Sequence, residues 1–159
     1  MPYVPTIVGS LSGGIVYKQA FTVDAAETFS AGALVYFDVT GGELNIKVVP
    51  TDGVLVLGMA LESAAAAILG GSAVPGKVLV AVFTQDTIIR LKGSSSPTTS
   101  HLFVATGYPI TATATTGLPT LNVASTSNCL LKVIDLDATT LEFVCVPKGL
   151  CVQANLVIS

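Results

Sequence analysis

Val54-Leu55-Val56-Leu57-Gly58-Met59-Ala60-Leu61-Glu62 and, after a small-residue connection from Ser63 to Gly76, Lys77-Val78-Leu79-Val80-Ala81-Val82-Phe83 are the two runs on which the fold depends. Both are almost wholly apolar, whereas a half-exposed strand alternates. Runs of this kind read as strands covered on both faces. The expectation is that the core covers one face and other protein the other, which points to an assembly.

Composition agrees with that expectation. Only 11% of the 159 residues are charged and 51% are hydrophobic, with a mean hydropathy of +0.76; ordinary soluble domains carry roughly 25% charged residues. A surface so short of charge exposes apolar patches of the kind that mark interaction sites, unless Ser and Thr supply a neutral coat. A membrane span is not expected, since no run reaches ~20 uninterrupted apolar residues. Val54 to Leu69 is broken by Gly58, Glu62 and Ser63. Met1-Pro2-Tyr3-Val4-Pro5 has no basic n-region or apolar h-region, so no signal peptide is read there.

Net charge is −3, and the basic residues Lys18, Lys47, Lys77, Arg90, Lys92, Lys132 and Lys148 are scattered. Binding a nucleic acid backbone needs such charges gathered, so no nucleic-acid partner is expected. Cys129, Cys145 and Cys151 fit small buried hydrophobes in a reducing compartment, although a Cys145–Cys151 bridge across a turn is sterically open.

From the N-terminus, Met1 to Ser10 carries Pro2 and Pro5, which fix φ and remove ladder donors, and it reads as an extended arm rather than an interior strand. Ile15–Val23 is a strand, and Asp24 to Ser30 suits one helical turn with Asp24 as cap and Glu27 closing a capping box. Ala33–Val39 and Glu43–Val49 form a hairpin about Thr40-Gly41-Gly42, and Pro50-Thr51-Asp52-Gly53 is a turn into the central run. Glu62 to Ala67 has helix propensity for about two turns at most. Asp86–Lys92 pairs with the run before it, and Gly93 to Ser100 is a Ser/Thr/Pro loop or linker.

Six further strands are read at Leu102–Ala105, Tyr108–Ala112, Pro119–Val123, Cys129–Leu136, Leu141–Val146 and Cys151–Ile158. Residues 102–146 repeat the order of the first half, which reads as a degenerate internal duplication. The chain then divides into an arm (1–12), a first β unit (13–93), a linker (94–100) and a second β unit (101–159) packed with the first as one body. Many short strands at ~8–12 residue spacing make the class all-β, a small barrel or sandwich.

Reactive constellations are not apparent. His101 is the only histidine and sits at a Ser/Thr-rich loop end, so it reads as a loop residue, and a His-rich metal site is excluded. Asp135 and Asp137 share a face and suit acid/base work or Ca²⁺, but their place before Ala138-Thr139-Thr140 favours a turn cap. Gly9 to Gly14 precedes a strand instead of opening a helix, so it is no phosphate cradle. No cofactor, metal or enzymatic activity is expected.

One resemblance extends this reading. Ala31-Gly32-Ala33-Leu34-Val35, Val56-Leu57-Gly58-Met59-Ala60-Leu61, Gly76-Lys77-Val78-Leu79-Val80-Ala81-Val82 and Ile88-Ile89-Arg90-Leu91-Lys92 occur in the order and spacing of tailed-bacteriophage capsid decoration, or cement, proteins, which the segment Phe29 to Lys92 resembles. Thr84-Gln85-Asp86 stands where that pattern has a turn glycine. The resemblance implies a β-tulip-like barrel, commonly a homotrimer, on the virion exterior after synthesis in the host cytoplasm, with the major capsid protein as partner. Its N-terminal arm would engage the shell through Pro2, Tyr3, Val4, Pro5, Ile7 and Val8. The competing expectation is a viral fibre or host-surface glycan binder, for which the absence of Trp leaves few aromatic platforms.

Overall fold

A computed structural model describes residues 3–24, 27–38, 45–64 and 76–153. The fold is all-β: among the described residues, eleven strands in antiparallel sheets with two short 3-10 turns. The strands are β1 (Thr6–Ser10), β2 (Tyr17–Thr22), β3 (Leu34–Asp38), β4 (Asn45–Val48), β5 (Gly58–Ala60), β6 (Lys77–Val82), β7 (Thr87–Leu91), β8 (Ile110–Ala112), β9 (Pro119–Leu121), β10 (Leu131–Asp137) and β11 (Glu142–Pro147). A four-stranded sheet has the order β1-β7-β11-β10, a five-stranded sheet β2-β6-β5-β3-β4, and β8 pairs only with β9.

The central run explains the layering. Val56 and Met59 join Leu34, Phe83, Ile89, Leu91, Val133 and Phe143 in one core, between the four-stranded sheet and one face of the five-stranded sheet. Leu57 and Ala60 join Val23, Phe29, Val35, Ile46, Val78 and Val80 in a second core on the other face. That second core exists because the five-stranded sheet curls until its edge strands approach. Val23 bridges Ile46 in parallel, and the Asp24 N–H donates to the Ile46 carbonyl at 3.1 Å. One bridge does not complete a ladder, so no sheet closes into a barrel. From Val56 to Ala60, and at Val78, Val80, Ala81 and Phe83, the two-faced apolar runs are therefore covered by the chain itself, while Val54 and Leu55 stay exposed. Gly58 is fixed by this packing: a Cβ there would lie 2.0 Å from the Ala81 carbonyl oxygen.

Several local expectations change. Leu102–Ala105 is not a strand. The chain passes through a 3-10 turn, Thr99–His101, and then Phe103 adopts a left-handed φ of 56°. Cys151 ends a 3-10 turn, Gly149–Cys151, instead of opening a strand, and the rest of that expected strand, 154–158, lies outside the described residues. Of the expected helix Glu62–Ala67, residues 62–64 are not helical, since Ala64 bridges Phe29, and residues 65–67 lie outside the described residues, as do residues 25–26 of the expected turn after Asp24. All three cysteines are free and buried, with no Cys145–Cys151 bridge.

The two β units are not separate. The four-stranded sheet takes β1 and β7 from the first part of the chain and β10 and β11 from the last, and residues 94–100 run over the surface of that body, tied to it where the Ser94 N–H donates to the Leu121 carbonyl at 2.8 Å. The order of elements recurs in the second half, but the arrangement does not. Hairpin β3-β4 shares a sheet with β5-β6, whereas hairpin β8-β9 stands apart from β10-β11.

A candidate interaction surface at the N-terminal edge

Tyr3 to Tyr17 contains no charged residue. The structure places this stretch at an edge of the four-stranded sheet, as β1 and the turn leading to β2. The arm is thus not free: β1 pairs antiparallel with β7, Thr6 opposite Arg90 and Ile7 opposite Ile89. Pro5 precedes the ladder, where its missing N–H costs no pairing.

Tyr3 anchors the start. Its hydroxyl donates to the Glu142 carboxylate and lies 3.2 Å from the Arg90 carbonyl oxygen, while the Lys92 ammonium sits 5.4 Å from the centre of its ring. Burial, and then the hydrogen bond and negative charge of Glu142, push the phenol pKa well above that of an ordinary tyrosine. Arg90 continues the cluster, pairing with Asp137 and lying 3.8 Å from Glu142. Asp137 in turn accepts the Thr139 and Thr140 N–H groups at 3.0 Å. The Thr140 N–H and then Arg90 hold its carboxyl below the usual range.

Past this anchor the surface turns apolar. A register shift between Ile7 and Gly9 leaves Val8 on a bulge, 56% exposed, while Ile7 packs on the core. Leu11, Ile15 and Tyr17 are also exposed, Ile15 almost completely at 99%. Half of the ten large hydrophobic residues exposed among the described residues fall between Val4 and Tyr17, so the patch is concentrated rather than scattered. Beside it runs a groove of about 460 Å³ lined by Val4, Pro5, Ile7 and Val8 on one side and Met59, Leu61 and Ala81 on the other, with Lys18 the only charged side chain lining it. Gly32 permits the close approach of Val4. Its φ is +100°, and a Cβ there would lie 2.6 Å from Val4 Cγ1.

Of the residues expected to bind a partner, the structure brings Val4, Pro5, Ile7 and Val8 together along the groove and turns Tyr3 away to the Glu142 cluster. Pro2 lies outside the described residues. Leu11, Ile15, Tyr17 and Lys18 were not among the expected residues. The length of the uncharged run was the signal that could have found them.

The reactive side chains serve the fold. His101 Nδ1 accepts the Thr98 N–H at 3.1 Å, and its ring packs edge-on to Phe143 at 5.3 Å, so it closes a turn. Asp135 and Asp137 accept backbone N–H groups at the β10–β11 turn, and no group of three metal-ligating side chains occurs among the described residues. Burial drives the Cys145 thiol pKa far up.

Fold and surface together define an all-β sandwich whose main distinguishing feature is an exposed, uncharged apolar edge. No protein-family model, no curated protein and no solved structure matches the chain.

Proposed function

We propose that this chain is a structural protein of a virus, a capsid decoration (cement) protein that binds the outside of a phage head and bridges neighbouring copies of the major capsid protein. The observation that carries this reading is the charge-free edge from Val4 to Tyr17, where Val8, Leu11, Ile15 and Tyr17 are exposed together. Burying side chains of this kind contributes about 1.5–3 kcal/mol each before the costs of association. The resemblance of Phe29 to Lys92 to decoration proteins supports the same reading. In this proposal the protein acts as a homotrimer, so that weak contacts are multiplied by multivalency.

The test uses heads of the encoding virus stripped of minor proteins. Purified protein should bind them saturably and raise the temperature at which they break open. Ile15→Lys should weaken binding about tenfold or more while leaving the fold intact. Absence of binding to the heads would refute the function. Binding insensitive to Ile15→Lys would refute the role of this edge.

A further inference from the structure

Away from the N-terminal edge, the Cys151 thiol lies against the backbone of Cys129 at the seam where the chain leaves β11. The Leu130 carbonyl accepts the Lys148 N–H at 2.9 Å, the 3-10 turn Gly149–Cys151 follows, and the Cys151 thiol donates to the Cys129 carbonyl at 3.7 Å. Past this turn, Val152 bridges Val56, and the Gln153 side chain takes both hydrogen bonds that Phe37 offers, its Oε1 accepting the N–H at 2.6 Å and its Nε2 donating to the carbonyl at 3.1 Å. The turn therefore fastens the C-terminal segment to the five-stranded sheet. Cys145 has no exposure, whereas Cys129 and Cys151, the latter in the same core as Cys145, keep 8% and 9%.

We propose that Cys129 and Cys151 are a redox pair that closes to an intramolecular disulfide under mild oxidation by a peroxide. One of the two thiols gives up its proton and its sulfur attacks a peroxide oxygen; the O–O bond breaks, the leaving hydroxide takes up that proton as water, and the sulfur becomes a sulfenic acid. The other sulfur, giving up its proton, then attacks the oxidised sulfur and expels the hydroxyl as a second water, so two thiols and one hydrogen peroxide yield one disulfide and two waters. Burial, the largest influence, raises the Cys151 thiol pKa, so closure should be slow at neutral pH and quicken as pH rises. The pair stays reduced in a reducing cell and closes once the protein reaches an oxidising space. This inference does not depend on what the apolar edge binds.

The experiment treats the folded protein with equimolar hydrogen peroxide and follows intact mass, peptide mapping and thermal unfolding. The expected result is loss of two hydrogens, a link between the peptides holding Cys129 and Cys151, and a rise in unfolding temperature on the order of 5–10 °C that dithiothreitol reverses. Cys145→Ser should behave like the parent, and Cys129→Ser and Cys151→Ser should show no internal link. A link through Cys145, a link between two copies, or terminal oxidation without any link would overturn the proposal. Peptide mapping of the parent chain decides the matter even if a variant fails to fold.

Discussion

The two edges of the four-stranded sheet are built on opposite rules. At β10 the edge is covered: Tyr108 exchanges backbone hydrogen bonds with Leu131, and the Phe103 N–H donates to the Val133 carbonyl at 3.2 Å. Where that cover ends, a bulge between Val133 and Asp135 breaks the ladder, and Asp135 and Asp137 supply charge. At β1 there is a bulge and a proline but no charge at all from Tyr3 to Tyr17. Proteins blunt an edge with charge or cover when nothing is meant to dock there. The contrast within one sheet marks β1 as the edge left open.

The largest test of this comparison removes what both edges rest on. Phe143, on β11 between them, is fully buried, and Phe143→Ala should cost about 3–5 kcal/mol in denaturant unfolding and loosen both edges together. Loss confined to one edge in hydrogen exchange would show that the edges are independent.

Tyr3→Phe separates them. It removes one hydrogen bond to the Glu142 carboxylate at the β1 side, with an expected cost of about 1 kcal/mol and faster amide exchange in β1 than in β10. Equal effects on both strands would show that Tyr3 is not an anchor of its own edge.

The β10 edge has a pH signature. The Asp137 carboxyl pKa is depressed in the folded state, so its contribution is complete above the ordinary carboxylate pKa of about 4 and is lost as pH falls through the folded value. Asp137→Asn should lower the unfolding temperature at neutral pH, and the difference from the parent should shrink on acidification. A gap that stays constant down to strongly acid pH would rule out this role for the carboxylate.

The smallest stability effect is expected at Val8. Val8→Lys places charge on the open edge at a solvent-facing bulge, should change stability by no more than about 0.5 kcal/mol, and should reduce self-association seen by light scattering at high concentration. A large destabilisation would mean that Val8 supports its own sheet rather than facing a partner.

Much of the strand content is legible in the residues. Lys77–Phe83 and Asp86–Lys92 become β6 and β7 with nearly the bounds read, because β-branched runs bounded by turn residues carry their own signal, but they do not pair as expected: the chain crosses at Thr84-Gln85 from the five-stranded sheet to the four-stranded one. Leu102–Ala105 misleads for a physical reason: Phe103 carries strand propensity, yet its neighbours form a 3-10 turn whose His101 side chain caps it and packs on Phe143, a contact distant in sequence. The apolar edge is half legible. The absence of charge is printed in the residues, but the bulge that turns Val8 outward depends on register with Ile88 and Ile89.

By itself the sequence determined an all-β chain, its main turns and its shortage of surface charge. These follow from local sterics, from glycine and proline, and from composition. Only the tertiary structure decided what covers the two-faced runs Val54–Glu62 and Lys77–Phe83. Burial from a neighbouring chain and burial from the same chain have identical local signatures. The curl that brings Val23 to Ile46, and so builds the second core, is a pairing between residues that no local pattern connects.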